Sequence, residues 1–262
     1  MAREFVGTAR PLSGEEFGAL MDHLNIGAAE LWAVFEVETS GCGFIADRRP
    51  LILYERHIFS KQTNHQFDSV RPDISNRERG GYGPGGAGQY VRLHAAIELD
   101  RKAALRSASW GLGQVMGFNA EMAGFRNEEE MVAAMAESEY QQLTAFAGEI
   151  TGSKCGAALR RHDWATFARI YNGPAYREND YDTRLSAAYH RLSSGPLPDL
   201  TVRAAQMYLM FLGFDPGPVD GWFGKLTCSA LNHFQEKHEL SISKVVDEEL
   251  LGSLATEVAR LG

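Results

Sequence analysis

Residues 31–44 read Leu31-Trp-Ala-Val-Phe-Glu-Val-Glu-Thr-Ser-Gly-Cys-Gly-Phe44, and they place an acidic residue on an apolar face. At helical spacing Leu31, Val34 and Phe35 form one face, and Glu38 falls in the middle of it. A carboxyl on such a face is poorly solvated, which raises its pKa and lets it hold a proton near neutral pH. The Thr-Ser-Gly that follows predicts the end of the helix. The stretch therefore predicts a general acid at a helix end, and the alternative is a Glu38 side chain that bends out to water.

The composition limits the class of protein. A chain of 262 residues, 44% of them apolar, fits one large and one small globular domain. Lys and Arg total 26 against 34 Asp and Glu, and no basic run with interleaved aromatic residues occurs, so nucleic acid is not an expected partner. We find no signal segment and no apolar run long enough to span a membrane, so we expect synthesis in the cytoplasm and no membrane partner. Three scattered cysteines, Cys42, Cys155 and Cys228, are expected as thiols.

Capping and spacing patterns predict a mainly helical chain. Ser13 with Glu16 three residues later is a helix-start signature, and a second helix is expected over residues 28–38. Residues 49–59 are an apolar run with β-branched residues and predict a strand or extended chain. Residues 60–90 are polar, glycine-rich and irregular, which is typical of a functional or mobile loop. Helical spacing occurs in four further stretches, residues 91–109, 128–150, 163–171 and 180–192.

A cluster of helix breakers near residue 193 predicts a domain boundary. It reads Ser193-Ser-Gly-Pro-Leu-Pro-Asp199. We expect one domain over residues 1–192, a linker over 193–200 and a second domain over 201–262 with three helical stretches. We expect the two domains to be separable, so that a chain ending near Pro198 still turns over its substrate but binds its insoluble target more weakly.

Two further segments carry side chains suited to a sugar ligand. In Ser109-Trp-Gly-Leu-Gly-Gln-Val-Met-Gly117 a helix is expected to give way to a glycine-rich turn that presents the Gln114 amide. Tyr171 and Asn172 stand at the end of a predicted helix, before Gly-Pro. Each feature alone also fits a surface amide or a core aromatic ring. Together with Glu38 they indicate a carbohydrate-binding cleft.

These motifs resemble the N-acetylmuramidase family of phage endolysins, within the lysozyme-like superfamily that also holds goose-type lysozymes and lytic transglycosylases. The resemblance is carried by Arg49-Pro-Leu-Ile-Leu-Tyr-Glu-Arg-His-Ile-Phe-Ser60, Pro72-Asp-Ile-Ser-Asn76, Ala108-Ser-Trp-Gly-Leu-Gly-Gln-Val-Met-Gly-Phe-Asn119 and Phe167-Ala-Arg-Ile-Tyr-Asn-Gly-Pro174. It implies a mainly α fold, with a lysozyme-like α+β catalytic domain that has a small β lobe.

The tail resembles the three-helix peptidoglycan-binding module that accompanies many wall hydrolases. The matching segments are Val202-Arg-Ala-Ala-Gln-Met-Tyr-Leu-Met-Phe-Leu-Gly-Phe214 and Val219-Asp-Gly-Trp-Phe-Gly-Lys-Leu-Thr227. The resemblance implies that Asp220, Trp222 and Phe223 contact the cell wall. A small bundle that only stabilises the chain is the alternative.

The resemblance implies an endolysin that hydrolyses the β-1,4 bond between N-acetylmuramic acid and N-acetylglucosamine in peptidoglycan and lyses the host, with Glu38 as general acid. Asp47, Glu55 and Asp73 are candidates for the second carboxylate, and Glu55 is favoured because its apolar run should hold it rigidly. An ion pair with a neighbouring base is the alternative for Glu55. Without a second carboxylate the sugar's C6 hydroxyl could attack, which would make the enzyme a lytic transglycosylase with 1,6-anhydromuramyl products. A non-catalytic wall-binding protein is the remaining alternative.

Sugar hydroxyls need partners that both donate and accept hydrogen bonds, so we expect substrate contacts from His57, Gln114, Tyr171 and Asn172. No metal or cofactor is expected, because the histidines and cysteines lack zinc-site spacing. A cysteine peptidase built on Cys42 and His57 is disfavoured, since nothing near Cys42 predicts a depressed pKa. Peptidoglycan glycan strands are the expected partner of a monomer, and a holin is expected to release it from the host cytoplasm to the wall.

Overall fold

The computed structural model describes residues 4–38, 41–174 and 176–261. In these ranges the chain is mainly helical with a small antiparallel sheet, which confirms the predicted fold class. The helices are α1 (Gly14–Leu24), α2 (Ala28–Glu38), α3 (Arg56–Gln62), α4 (Ala87–Ile97), α5 (Arg101–Arg106), α6 (Glu128–Glu137), α7 (Glu139–Thr151), α8 (Cys155–Arg160), α9 (Trp164–Tyr171), α10 (Tyr181–Ser194), α11 (Leu200–Phe211), α12 (Lys225–Lys237) and α13 (Glu248–Ala259). The strands are β1 (Ile52–Tyr54), β2 (Ala108–Trp110) and β3 (Val115–Met116).

One compact unit, called unit 1, comprises Met1–Ala9, Gly43–Ile45 and Arg49–Gly152. It contains the sheet, whose strand order is β1-β2-β3 with both pairs antiparallel. Trp110 lies opposite Ile52 and is fully buried, and its indole N–H donates to the carbonyl oxygen of Leu105 at 3.1 Å. The buried indole thus has the hydrogen-bond partner that its burial requires.

The apolar run at residues 49–59 is a strand only in part. Strand β1 ends at Tyr54, and α3 begins at Arg56 with Glu55 in the N-cap position. The prediction of extended chain through residue 59 was wrong, because a short apolar run fits either period. The helical turn is closed by the amides of Ile58 and Phe59, which both donate to the carbonyl oxygen of Glu55.

Two other predicted helices are interrupted. In the stretch 91–109 the structure has α4 from Ala87, a break at Asp100, and then α5 and β2, so a strand rather than a helix precedes the glycine-rich turn. Asp100 ends the continuity because its side chain caps α5. The stretch 128–150 is divided at Ser138, whose side chain accepts from the amide of Gln141 and starts α7.

The second compact unit, unit 2, comprises Arg10–Cys42, Ala46–Arg48 and Ser153–Gly262. Its first helix begins with the predicted capping box of Ser13 and Glu16. Helix α2 packs along α10, which also packs against α9. The ring of Trp32 lies 5.4 Å from that of Phe17 and 5.5 Å from that of Phe35. These contacts bury the apolar side of α2 and fix the helix that carries Glu38.

Unit 2 also contains the C-terminal module, defined as residues 199–261 with α11, α12 and α13. Asp199 and Asp247 cap α11 and α13. Its core is formed by Ala205, Leu209, Ala230, Leu231, Phe234, Leu250 and Leu254. The predicted linker at residues 193–200 includes the last two residues of α10 and the first residue of α11, and the domain limits themselves stay a prediction. Cys42, Cys155 and Cys228 are in the thiol form.

Candidate active site

Glu38 is the last residue of α2, and its side chain is half-buried. The amide nitrogen of Asn172 donates a 3.0 Å hydrogen bond to its Oε1 atom. Glu36, two residues earlier, is exposed and pairs with Arg191. Of the two acids in the last turn of α2, Glu36 points to solvent and Glu38 faces protein, while Glu30, the third acid of the helix, lies in its first turn and pairs with His162. Thr39 and Ser40, in which we expected the helix to stop, lie outside the described residues.

Asn172 is held in place by the end of α9. It is the C-cap of that helix, and its backbone N–H donates to the carbonyl oxygen of Ala168 at 2.8 Å. Gly173 follows with φ of +82°, a left-handed conformation that ends the helix at little cost only with glycine. Tyr171 stacks on Phe167, one turn earlier, with 5.7 Å between ring centroids. Local sequence thus fixes the amide that reaches Glu38.

Burial raises the pKa of Glu38 from 4.5 to about 7, while the hydrogen bond from Asn172 and the positive charge of Arg184 pull it downward. Desolvation penalises the ionised carboxylate, whereas a donor and a cation favour it. The balance leaves a carboxyl that is still partly protonated at neutral pH. Arg184, on α10, was not found by sequence reasoning, since only the packing of α10 on α2 brings its charge near Glu38.

Glu55 lies in unit 1, between β1 and α3. Its backbone N–H donates to the carbonyl oxygen of Ser107 at 2.9 Å, which anchors it to the end of α5. Its Oε2 atom is 3.0 Å from Nδ1 of His57, but neither atom has a partner of hydrogen-bonding geometry within the described residues. Burial lowers the pKa of His57, the charge of Glu55 opposes this, and Arg79 adds to the lowering. His57 is therefore mostly neutral at pH 7 and does not neutralise Glu55.

Tyr82 is a neighbour of Glu55 that sequence reasoning missed. Burial raises the pKa of Tyr82, and the negative charge of the nearby Glu55 raises it further. Its carbonyl oxygen accepts from Arg92 at 2.9 Å and from Gln89 at 2.7 Å. The signal that could have found it is the single aromatic residue in the run Gly80-Gly-Tyr-Gly-Pro84. The glycine-rich loop thus places a phenol near Glu55.

Gln114 lies in the turn between β2 and β3, with φ of +49°. Its side-chain nitrogen donates to the carbonyl oxygens of Gly111 at 2.9 Å and Leu51 at 3.3 Å. Its side-chain oxygen accepts from the hydroxyl of Ser109 at 2.7 Å. Both the nitrogen and the oxygen of the Gln114 amide are therefore hydrogen-bonded to residues of the β2–β3 hairpin or to Leu51, which precedes β1. In this arrangement Gln114 shapes the turn.

The predicted wall contacts lie in the loop between α11 and α12. One carboxylate oxygen of Asp220 accepts from the Gln206 side-chain nitrogen at 3.1 Å and from the Trp222 backbone amide at 2.9 Å. The side chains of Trp222 and Phe223 are 37% and 38% exposed. Asp220 therefore organises the loop, and the two rings are its exposed apolar groups.

The structure brings the predicted residues together in separate groups. In unit 2 Asn172 contacts Glu38, and Tyr171 precedes Asn172 in the sequence, while Glu55 and His57 form their own cluster in unit 1. Among the described residues, no group of three or more His, Cys, Asp or Glu side chains is placed to hold a metal ion. In the same part of the chain, no helix is long and apolar enough to cross a membrane.

A half-buried carboxyl that holds its proton near neutral pH has the property that glycoside hydrolases require of a general acid. The protein-family model described as N-acetylmuramidase matches residues 27–193. A second model, described as "Putative peptidoglycan binding domain", matches residues 199–254. Since the first match covers more than half of the chain, the protein belongs to the N-acetylmuramidase family, which is a family of glycoside hydrolases. The predicted resemblance is thereby confirmed.

One solved structure similar to this chain is titled "Crystal structure of Burkholderia AP3 phage endolysin". The two sequences are 41% identical, the match covers 70% of this chain and 71% of that chain, and the TM-score is 0.66. A search of the curated proteins gave no match.

Proposed function

We propose that this protein is an endolysin that hydrolyses the β-1,4 bond between N-acetylmuramic acid and N-acetylglucosamine, with Glu38 as general acid. The observation that carries the proposal is the half-buried Glu38 carboxyl, whose pKa is raised to about 7 and whose Oε1 is held by Asn172. Membership of the N-acetylmuramidase family supports the class of bond. The similarity to a phage endolysin supports the biological role.

In the proposed reaction Glu38 gives its proton to the glycosidic oxygen while the bond from C1 of N-acetylmuramic acid to that oxygen breaks. A water molecule adds to C1, and Glu55 takes the proton that the water loses. The product keeps a free reducing N-acetylmuramic acid, and both carboxyl groups then exchange protons with solvent. Glu55 suits the role of base because its neighbour His57 is mostly neutral and does not neutralise its charge.

The remaining proposed contacts follow from their surroundings. Asn172 offers an amide beside Glu38, Tyr171 offers a ring at the same helix end, and His57 offers a neutral imidazole beside Glu55. Gln114 acts indirectly, because its amide is occupied in ordering the β2–β3 turn.

In the C-terminal module we propose that Trp222 and Phe223 stack on wall sugars, while Asp220 holds their loop. Their exposed rings and the match to a peptidoglycan-binding family support this role.

Product analysis by mass spectrometry tests the proposal. Purified sacculi are digested with the wild-type protein, with Glu38→Gln, and with Glu36→Gln as the matched control on the same helix. We expect reducing N-acetylmuramic acid ends from the wild type and from the control, and none from Glu38→Gln. Anhydromuramyl ends would identify a lytic transglycosylase instead. No cleavage by the wild type, together with sedimentation on sacculi, would indicate a wall-binding protein.

A further inference from the structure

Arg203 is a buried charged residue near the start of α11. Only 2% of its surface is exposed, although a guanidinium is costly to remove from water. Its Nη2 atom donates a 2.6 Å hydrogen bond to the carbonyl oxygen of Gly41. Gly41 follows Glu38 by three residues in the sequence. The C-terminal module therefore contacts the chain just beyond the proposed general acid.

A second part of the module approaches Gly41 as well. The φ angle of Gly41 is +84°, in the left-handed region that favours glycine. A Cβ atom at this position would lie 2.8 Å from the carbonyl oxygen of Val219, which is closer than side chains tolerate. The backbones at Gly41 and Val219 thus meet closely, and a larger residue would push them apart.

A cavity of ≈ 420 Å³ lies beside this contact. Its lining includes Phe35 of α2, Arg191 of α10 and Trp222 of the C-terminal module, together with Arg203. The cavity thus borders both the last turns of α2 and the loop of the module that approaches Gly41. The hydrogen bond from Arg203 and the close approach of Val219 both link the module to Gly41 at the edge of this cavity.

We propose that Arg203 is a positioning residue for the muramidase reaction, which acts through Gly41 on the orientation of the Glu38 carboxyl. The inference rests on the proposed role of Glu38 as general acid. It also changes the expected role of the module, which supports turnover in addition to binding wall. A chain without it would then lose turnover, contrary to the expectation from the sequence that the domains are separable.

The physical reason lies in the end of α2. The last carbonyl groups of a helix have no partners within the helix, so the final turn frays easily unless the following chain is held. When the hold on Gly41 is lost, water gains access to the Glu38 carboxyl and its raised pKa moves back toward 4.5. The carboxyl also samples more orientations, and a displacement of about 1 Å can lower a rate by about 100-fold. Both effects act on turnover and leave wall affinity unchanged.

The test uses Arg203→Met in the full chain, because Met keeps much of the buried apolar volume and removes the donor. Arg191→Met is the matched control, since Arg191 lines the same cavity and does not hold Gly41. Turnover is measured on soluble glycan oligomers, so that wall binding does not enter. For Arg203→Met we expect kcat to fall by at least about tenfold with KM unchanged. We also expect the alkaline limb of its pH profile to move to lower pH, and its sedimentation with sacculi to equal that of the wild type.

Arg203→Lys should recover part of kcat, because it restores a cationic donor without the guanidinium fork. Circular dichroism verifies folding, and Arg203→Gln replaces Arg203→Met if the latter does not fold. Wild-type kcat and an unmoved alkaline limb in a folded Met or Gln variant would overturn the proposal, as would a purely thermal destabilisation with no pH effect. Retained activity in Glu38→Gln would instead refute the proposed function, which separates the two failures.

Discussion

Replacing Glu38 with Gln is expected to abolish turnover and to stabilise the folded chain at alkaline pH. Gln keeps the shape of the side chain and an oxygen that can accept from Asn172, but it carries no charge. The shift in the Glu38 pKa from 4.5 to about 7 measures how strongly the folded state disfavours the carboxylate. Because each pKa unit corresponds to about 1.4 kcal/mol, the ionised carboxylate costs the folded state about 3 kcal/mol.

The destabilisation of the folded state that arises from ionising Glu38 increases as the pH rises. Below about pH 4.5 the carboxyl is protonated in both the folded and the unfolded chain, so the substitution should change stability little. Between that pH and about 7 the unfolded chain releases its proton first, and the stability of the wild type falls as the pH rises. Above about pH 7 both states are ionised and the full cost is present. Glu38→Gln has no ionisable group at this position, so its stability does not fall for this reason.

Urea unfolding at about pH 4 and about pH 8 measures the difference in free energy of unfolding between variant and wild type. We expect a difference near zero at the lower pH and a gain of about 3 kcal/mol for Glu38→Gln at the higher pH. Glu36→Gln is the control on the same helix, and loss of its exposed ion pair should cost about 0–1 kcal/mol with no comparable pH dependence. If the difference in free energy of unfolding between Glu38→Gln and the wild type is the same at both pH values, the pKa of Glu38 is not raised. That result would also refute its role as general acid.

Three further predictions concern the neighbours of this acid and the other proposed sites. Asn172→Ala removes a donor that favours the ionised Glu38, so the alkaline limb of the pH profile should move to higher pH in activity assays. Glu55→Gln should lower kcat by about 10²–10⁴-fold without loss of wall binding, and wild-type kcat would exclude it as the base. Trp222→Ala should weaken sedimentation with sacculi and leave cleavage of soluble oligomers unchanged, and equal sedimentation would remove it from the wall contacts.

Helix starts could be predicted from the sequence because their causes are local. The capping box of Ser13 and Glu16 and the Asp163 cap of α9 each involve groups within three residues. The three helices of the C-terminal module also follow from local spacing and caps. The position of Glu38 at the end of an apolar helix face was visible for the same reason, and its raised pKa follows from burial.

The features that could not be predicted from the sequence depend on contacts between residues that are distant in it. The β2–β3 hairpin was mistaken for the end of a helix, because its strands are only three and two residues long and carry little periodicity. Tyr82 was overlooked because it is distant from Glu55 in the sequence, and only the folded chain brings it close enough for the charge of Glu55 to raise its pKa. Arg203 meets Gly41 across 162 residues of sequence, so no local pattern predicts the link.

The side chain of Asn172 is a proposed sugar contact, and its hydrogen bond also lowers the pKa of Glu38. Glu38 is the last residue of α2 and Asn172 caps the C-terminus of α9, so both groups stand where helices end. Helix C-termini carry partial negative charge, which adds to burial in disfavouring the carboxylate. If nothing opposed these effects, the carboxyl would hold its proton too firmly to donate it efficiently, because a general acid works best with a pKa near the working pH. The Asn172 amide and the charge of Arg184 oppose them, and the pKa stays at about 7. The amide that the sequence assigns to sugar binding therefore also sets how readily the proton is released.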